Sequence, residues 1–290
     1  MAKVSKVKNE TKKKLSATRR KDSKYSPLGA IKIVYAVVIM LFLYMPIVTL
    51  TVLSFNESKS MFAWKGLSLR WYREIFSNDE ILSAIFNTFS IALASAVIST
   101  IIGVLACVGI TALKKRTQSI VMGLNSIPLL NADIVIGISL MLTFIAFGFY
   151  LNWGTVLLAH ITFCLPYVIL SVMPKFRQMG TENYDAALDL GASPVYAFRK
   201  VIIPEIMPGI TAGFLLAFTM STDDFVVTHF TRGAGINTIS TLVYSQVKVG
   251  IRPTMFALSA VIFATALIAL IIVNVSGARE KDKTDIKSVI

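Results

Sequence analysis

The sequence predicts an all-α polytopic membrane protein with six transmembrane helices, and three observations carry that prediction. Of the 290 residues, 55% are hydrophobic and only 16% charged, with a mean hydropathy of +0.69, whereas soluble domains average roughly 25% charged residues. Apolar runs of about 20 residues recur along the chain, each long enough to cross a hydrocarbon core of roughly 30 Å. The positive charge is also segregated, with 10 of the 29 Lys/Arg residues inside positions 1–29.

Residues 1–29 form a polar run, KVSKVKNETKKKLSATRRKDSK, expected to be a cytoplasmic tail under the positive-inside rule. Attraction to anionic lipid head groups is a second use for it. The net charge of +13 is concentrated in this tail and not spread over a folded face, which argues against a nucleic-acid partner. The apolar run that follows is too long for the core of a signal peptide, and no small-residue cleavage site comes after it. That run, 30–55, is the first span. The loop after it carries WKGLSLRWYREIF, whose Trp64, Trp71 and Tyr72 favour a membrane–water interface. The second span, 81–113, ends at Lys114-Lys115-Arg116.

Residues 120–150 are too many for one crossing. Pro128 lies among them and predicts a break there, leaving 131–149 as the third span. A tight turn at Asn152-Trp153-Gly154 leads to the fourth span, 155–173. The fifth runs over 208–229 and the sixth over 254–275, followed by a tail at 276–290. With both termini inside, the cytoplasmic segments hold 21 Lys/Arg and the outer ones 7, a bias that fixes the orientation.

Residues 175–207 hold eight charges and form a cytoplasmic loop. It has helix signals: Thr181 as cap, with Glu182 and Asp185 in a first turn where the helix dipole favours negative charge. Gly191 is placed as a left-handed terminator. Ser193-Pro194 is a cap followed by a first-turn proline. Val195, Phe198, Val201 and Ile202 fall on one stripe at helical spacing, and Pro204 and Pro208 limit where this second helix ends.

Asp185-Ala186-Ala187, three residues, Gly191, nine residues, then Val201-x-Ile203-Pro204 resembles the signature of permease subunits of type I ABC importers. Asp185 stands where Glu is usual, which keeps the charge on a side chain one methylene shorter. The resemblance implies a five-helix permease core within 81–275, with the first span as an extra N-terminal helix, in a bacterial inner membrane. It also implies that the loop docks on a separate ATP-hydrolysing subunit, with Asp185, Ala186, Ala187, Gly191 and Pro204 carrying the coupling. No GxxxxGK[ST] phosphate loop occurs in the chain, so ATP and Mg would be used by that partner, with no cofactor and no catalytic residue on this chain.

Intramembrane carboxylates are costly and usually functional. Asp223 and Asp224, in STDDFVVTHF, are candidates to line a substrate path. Gly209, Gly213, Ala217 and Ser221 form a small-residue ridge suited to helix packing. Helical periodicity places Asp224 within that ridge and Asp223 off it, so Asp223 is the expected path-facing member. Asp133, in NADIVIG, is a third candidate, expected just inside the inner interface. His160, His229, Cys107 and Cys164 lack metal-ligand spacing and read as packing residues. Asn87 and Asn125 read as interhelical hydrogen-bond formers.

STDDFVVTHF, TLVYSQVKVGIRPTMFALSA and NADIVIGISL are similar to the second permease subunit of spermidine/putrescine importers. That implies a heterodimer with a homologous permease, two ATP-binding subunits and an extracytoplasmic polyamine-binding protein. The alternatives are a type I importer of another solute, such as iron, an amino acid or an oxyanion, or a membrane anchor that only recruits an ATPase. An oxyanion path would be expected to show Lys or Arg within the spans, and only Lys32 occurs, at an end.

Overall fold

The computed structural model describes residues 27–60, 62–180, 182–265 and 267–268. Most of the basic tail, Thr181, the later part of the sixth predicted span and the tail 276–290 lie outside the described residues. The helices are α1 (Pro27–Ser54), α2 (Arg70–Ser77), α3 (Asp79–Thr111), α4 (Lys115–Leu130), α5 (Asp133–Ala146), α6 (Trp153–Gln178), α7 (Glu182–Asp189), α8 (Pro194–Ala197), α9 (Ile203–Asp223), α10 (Val226–Thr231), α11 (Ile239–Val249) and α12 (Pro253–Thr265). Four stretches are long and apolar enough to cross a membrane: Ile31–Ser54, Asp79–Thr111, Trp153–Gln178 and Pro194–Asp223. The bent pair α4–α5 makes a fifth if taken as one span. Of the sixth, α12 is the described beginning. The chain divides into two units, residues 1–74 with 252–290, and residues 75–251.

In the first unit, α1 is apolar on every side and exposes most of its large side chains, as a lipid-facing helix would. The chain then winds around Asn56. Its Oδ1 accepts from the Ser58 and Lys65 N–H groups at 3.1 Å each, and its Nδ2 donates to the Ala63 carbonyl at 2.9 Å. The Asn56 carbonyl accepts the Trp71 indole N–H at 2.7 Å. Trp71 is therefore buried inside the loop, and only Trp64 of the two tryptophans is exposed. A buried indole needs an acceptor, and Asn56 supplies it. Tyr72 closes on Ser54 through a 2.6 Å hydroxyl contact.

The second unit is built on α3, α6 and α9, which pack against one another. Helix α3 starts where the Asn78 side chain accepts from Glu80 and Ile81 N–H, and α6 where Asn152 and Thr155 form a reciprocal capping box. The α9 ridge meets α6 in a regular antiparallel register. A Cβ on Gly209 would lie 3.3 Å from Val172 Cα, and one on Gly213 3.4 Å from Val168 Cα. Ala217 accepts a contact from Cys164 Sγ at 3.5 Å, and Ser221 meets His160 Nδ1 at 2.6 Å. Two series at i,i+4 spacing, 209/213/217/221 and 160/164/168/172, thus interlock. From α3, Cys107 Sγ reaches the Ile169 carbonyl at 3.8 Å. Both cysteines pack. Close backbone approach and side-chain hydrogen bonds are what hold helices together where lipid removes the hydrophobic drive.

Three expectations need correction. The break in the third span falls at Asn131-Ala132, not at Pro128. Both residues have extended backbone, and α4 and α5 meet at 103°. A proline lacks the N–H for the turn before it, but the helix runs two residues past Pro128 before it yields. The second loop helix does not end at Pro204 or Pro208. A π-turn over Phe198–Ile202, closed by Ile203 N–H to the Phe198 carbonyl, joins α8 to α9. It sets Pro204 in a first turn, where a missing N–H costs little. The fifth span ends at Asp223 and not at His229, because Asp224 turns extended (φ −63°, ψ 129°) before α10.

Candidate functional site

The loop between α6 and α9 has the local structure its residues dictate. Asp189 ends α7, and Gly191 follows Leu190 at φ +85°. The Gly191 N–H bonds the Leu188 carbonyl at 2.9 Å and the Ala192 N–H the Ala187 carbonyl at 3.0 Å, a Schellman termination. Ser193 then caps α8, its Oγ accepting from Tyr196 N–H at 3.3 Å. Asp185 and Ala186 are exposed, Ala187 half-buried, and Pro204 exposed. Leu190, Val195 and Tyr196 stand out from the surface. The expected stripe is incomplete: Phe198, Val201 and Ile202 are half-buried while Val195 is exposed, and fully buried Ala197 turns inward instead. Because the π-turn adds a residue to the turn, α-helical spacing does not carry Val195 onto the face of the other three.

The three carboxylates singled out from the sequence line one cavity of about 250 Å³. Helix ends build it: Pro128 and Leu129 close α4, Asp133 opens α5, Asp223 closes α9, and Val226 and Val227 open α10. Phe163 and Tyr167 contribute from α6, and Phe225 from the break. Among the described residues, no lysine or arginine lines it. Asp133 therefore lies beside the other two at this cavity.

The three carboxylates differ in what holds them. Asp133 lies in the first turn of α5, where the dipole favours negative charge. Asp224 caps α10: Oδ1 accepts from Val227 N–H at 3.2 Å, and Oδ2 from Thr228 N–H at 2.7 Å and the Thr228 hydroxyl at 2.8 Å. Asp223 ends α9, where the dipole disfavours it by roughly 0.3–1 kcal/mol. It is exposed and serves no helix end. The periodicity that set Asp224 in the packing ridge does not apply, since the helix stops one residue earlier.

His160 packs between helices as expected, and its polar partners are what sequence reasoning did not name. Its ring is buried, with Nδ1 on Ser221 Oγ at 2.6 Å and Nε2 on Thr228 Oγ1 at 2.9 Å. Asp224 Oδ2 is 3.5 Å from Nε2, and Ser95 of α3 donates to Ser221 Oγ at 3.0 Å. The signal was present as the 160/164/168/172 series, but only the packed structure pairs it with α9. Asn87 Nδ2 donates to the Asn237 carbonyl at 3.0 Å and Asn125 Nδ2 to the Pro166 carbonyl at 3.4 Å, as expected of them. His229 stacks on Phe225.

Residues 99–281 match the family described as binding-protein-dependent transport system inner membrane component. This chain belongs to that family. The permease is 36% identical over 242 residues to the spermidine/putrescine transport system permease protein PotC of Escherichia coli K12, covering 83% of this chain and 91% of that protein. It is 35% identical over 250 residues to the putrescine transport system permease protein PotI of the same organism, covering 83% and 89%. The crystal structure of a bacterial ABC transporter involved in the import of the acidic polysaccharide alginate shares its fold, with a TM-score of 0.68 at 16% identity over 87% of this chain and 97% of that one. The permease is thus a transporter component of the ABC importer type.

Proposed function

We propose that the permease forms half of the translocation path of an ATP-driven polyamine importer of the spermidine/putrescine type. The observation that carries this is the cavity with three carboxylates and no cationic lining residue. Similarity to PotC and PotI points to the same cargo class. An ammonium group about 4 Å from a carboxylate, at an effective dielectric near 20, gains ~4 kcal/mol of Coulomb energy before desolvation is subtracted. Tyr167, Phe163 and Phe225 add aromatic faces that suit cations. Asp223 is the carboxylate most available to cargo, because it caps nothing and lies at the wrong end of a helix dipole.

The test is uptake of labelled spermidine and putrescine in cells lacking other polyamine importers, with complex assembly checked in parallel. Asp223→Asn is expected to lower uptake several-fold at normal membrane levels. Wild-type uptake by the Asn variants at 133, 223 and 224 would remove this cavity from the path. No polyamine uptake by the unmutated complex would remove the cargo assignment.

In this reading the permease pairs with a homologous permease, two ATP-binding subunits and an extracytoplasmic polyamine-binding protein, within membrane lipid. ATP and Mg act on the ATP-binding subunits. The knuckle of Asp185, Ala186, half-buried Ala187 and Gly191, continuing to Pro204, is the coupling element, and it requires a cytoplasmic loop and termini. Single cysteines then report the topology. In a variant lacking Cys107 and Cys164, Lys65→Cys is expected to label with an impermeant thiol reagent on intact cells, and Ser193→Cys only after permeabilisation. The reverse pattern would invert the orientation.

A further inference from the structure

The buried polar chain beside the cavity runs through four helices, and its hydrogen-bond directions follow from its chemistry. Asp224 Oδ2 accepts from both the N–H and the hydroxyl of Thr228. Having given its proton to Asp224, the Thr228 hydroxyl must accept at its oxygen, so His160 Nε2, 2.9 Å away, is the donor. On the opposite edge of the ring Nδ1 meets Ser221 Oγ at 2.6 Å. Ser221 in turn accepts from Ser95. The chain links α3, α9, α6 and α10 and ends on the carboxylate at the cavity edge. His160 is the only member that reaches both α9 and α10. Those two helices flank the break at Asp224 and Phe225, directly after Asp223.

Resting on the cation-path reading above, we propose that His160 is a positioning residue: through Thr228 it fixes the Asp224 carboxylate and the α9–α10 break, and so sets the charge geometry that cargo meets. Ser221 ties His160 to the packing ridge, and Thr228 ties it to the site. The two ties are separable by substitution. Asparagine at 160 presents its amide where Nδ1 stands and falls short of Thr228. Glutamine reaches the Nε2 position and can still donate to Thr228.

The experiment compares His160→Gln and His160→Asn in the assembled complex. Carboxyl groups are labelled with a water-soluble carbodiimide and an amine, and Asp223 and Asp224 are read by mass spectrometry. In the unmutated complex Asp223 is expected to label fast and Asp224 slowly. His160→Asn is expected to release Asp224 to a rate near that of Asp223, while His160→Gln keeps it protected. In uptake assays the half-saturating polyamine concentration is expected to rise about tenfold or more for His160→Asn, the scale of a hydrogen bond to a charged group, with maximal rate and assembly retained. His160→Gln is expected to stay near wild type. Equal protection of Asp224 in both variants, or a parallel fall in assembly with unchanged half-saturation, would reduce His160 to a packing residue and overturn the proposal. The labelling readout needs no cargo, so a failure of the polyamine assignment leaves the positioning role still decided by it.

Discussion

Gly191→Val is expected to abolish most transport while leaving the helical bundle in the membrane. Gly191 sits at φ +85°, and a Cβ added there would meet nothing within 4 Å. The penalty is therefore backbone strain and not collision. A β-branched residue in the left-handed region costs ~1–2 kcal/mol, which shifts a local equilibrium roughly 5- to 30-fold. The alternative conformation breaks the two Schellman hydrogen bonds and turns α7 relative to α8, displacing the coupling surface. Asparagine tolerates this backbone region, so Gly191→Asn is expected to keep most activity. Asp185→Ala is expected to weaken ATPase docking by removing an exposed charge, with Asp185→Glu tolerated. Uptake and co-purification of the ATPase subunit are the measurements. Normal values for Gly191→Val would remove the knuckle from the coupling role.

Gly213→Leu is expected to cost the fold itself. A Cβ at 213 would already touch Ser171 Cβ and Val168 Cα at 3.4 Å, so alanine fits and leucine does not. Its outer carbons would force α6 and α9 apart along the register that joins Cys164 to Ala217 and His160 to Ser221. Overpacking of this kind costs about 1–3 kcal/mol where side chains can repack, and here the obstacle includes backbone. The expected result is loss of most assembled permease, read by size-exclusion profiles and thermal denaturation of the complex. Gly123→Leu, with open space around it, is expected to change neither. A Gly213→Leu complex as stable as wild type would mean that the two series do not interlock as described.

Hydropathy made the long helices legible, and capping chemistry made the knuckle legible down to Gly191 and Ser193. The small residues at 209, 213, 217 and 221 announced a packing face. Their partners at 160, 164, 168 and 172 are His, Cys, Val and Val, which carry no such signature and are found only by pairing two helices in space. The failures have one physical origin. Periodicity describes a side chain's direction only while the helix lasts, and helix ends depend on tertiary partners. Asp224 was placed by arithmetic carried one residue past the end of α9. The break in the third span was read at Pro128, whereas the chain turns at Asn131-Ala132. The cavity lies where these ends converge, so the site was the part least open to reading from sequence.

The π-turn between α8 and α9 has a consequence for gearing. From Pro194 to Asp223 the chain is one rod of 30 residues, roughly 45 Å at 1.5 Å per residue. One end carries the exposed knuckle and the other the carboxylate at the cavity. A π-turn holds one residue more than the α-turn it replaces, so it sets the azimuth of one end against the other. Each residue added or removed there rotates the two ends by about 100°. The local geometry of Phe198–Ile202 therefore fixes the angle at which a push on the knuckle arrives at the charged end of the rod.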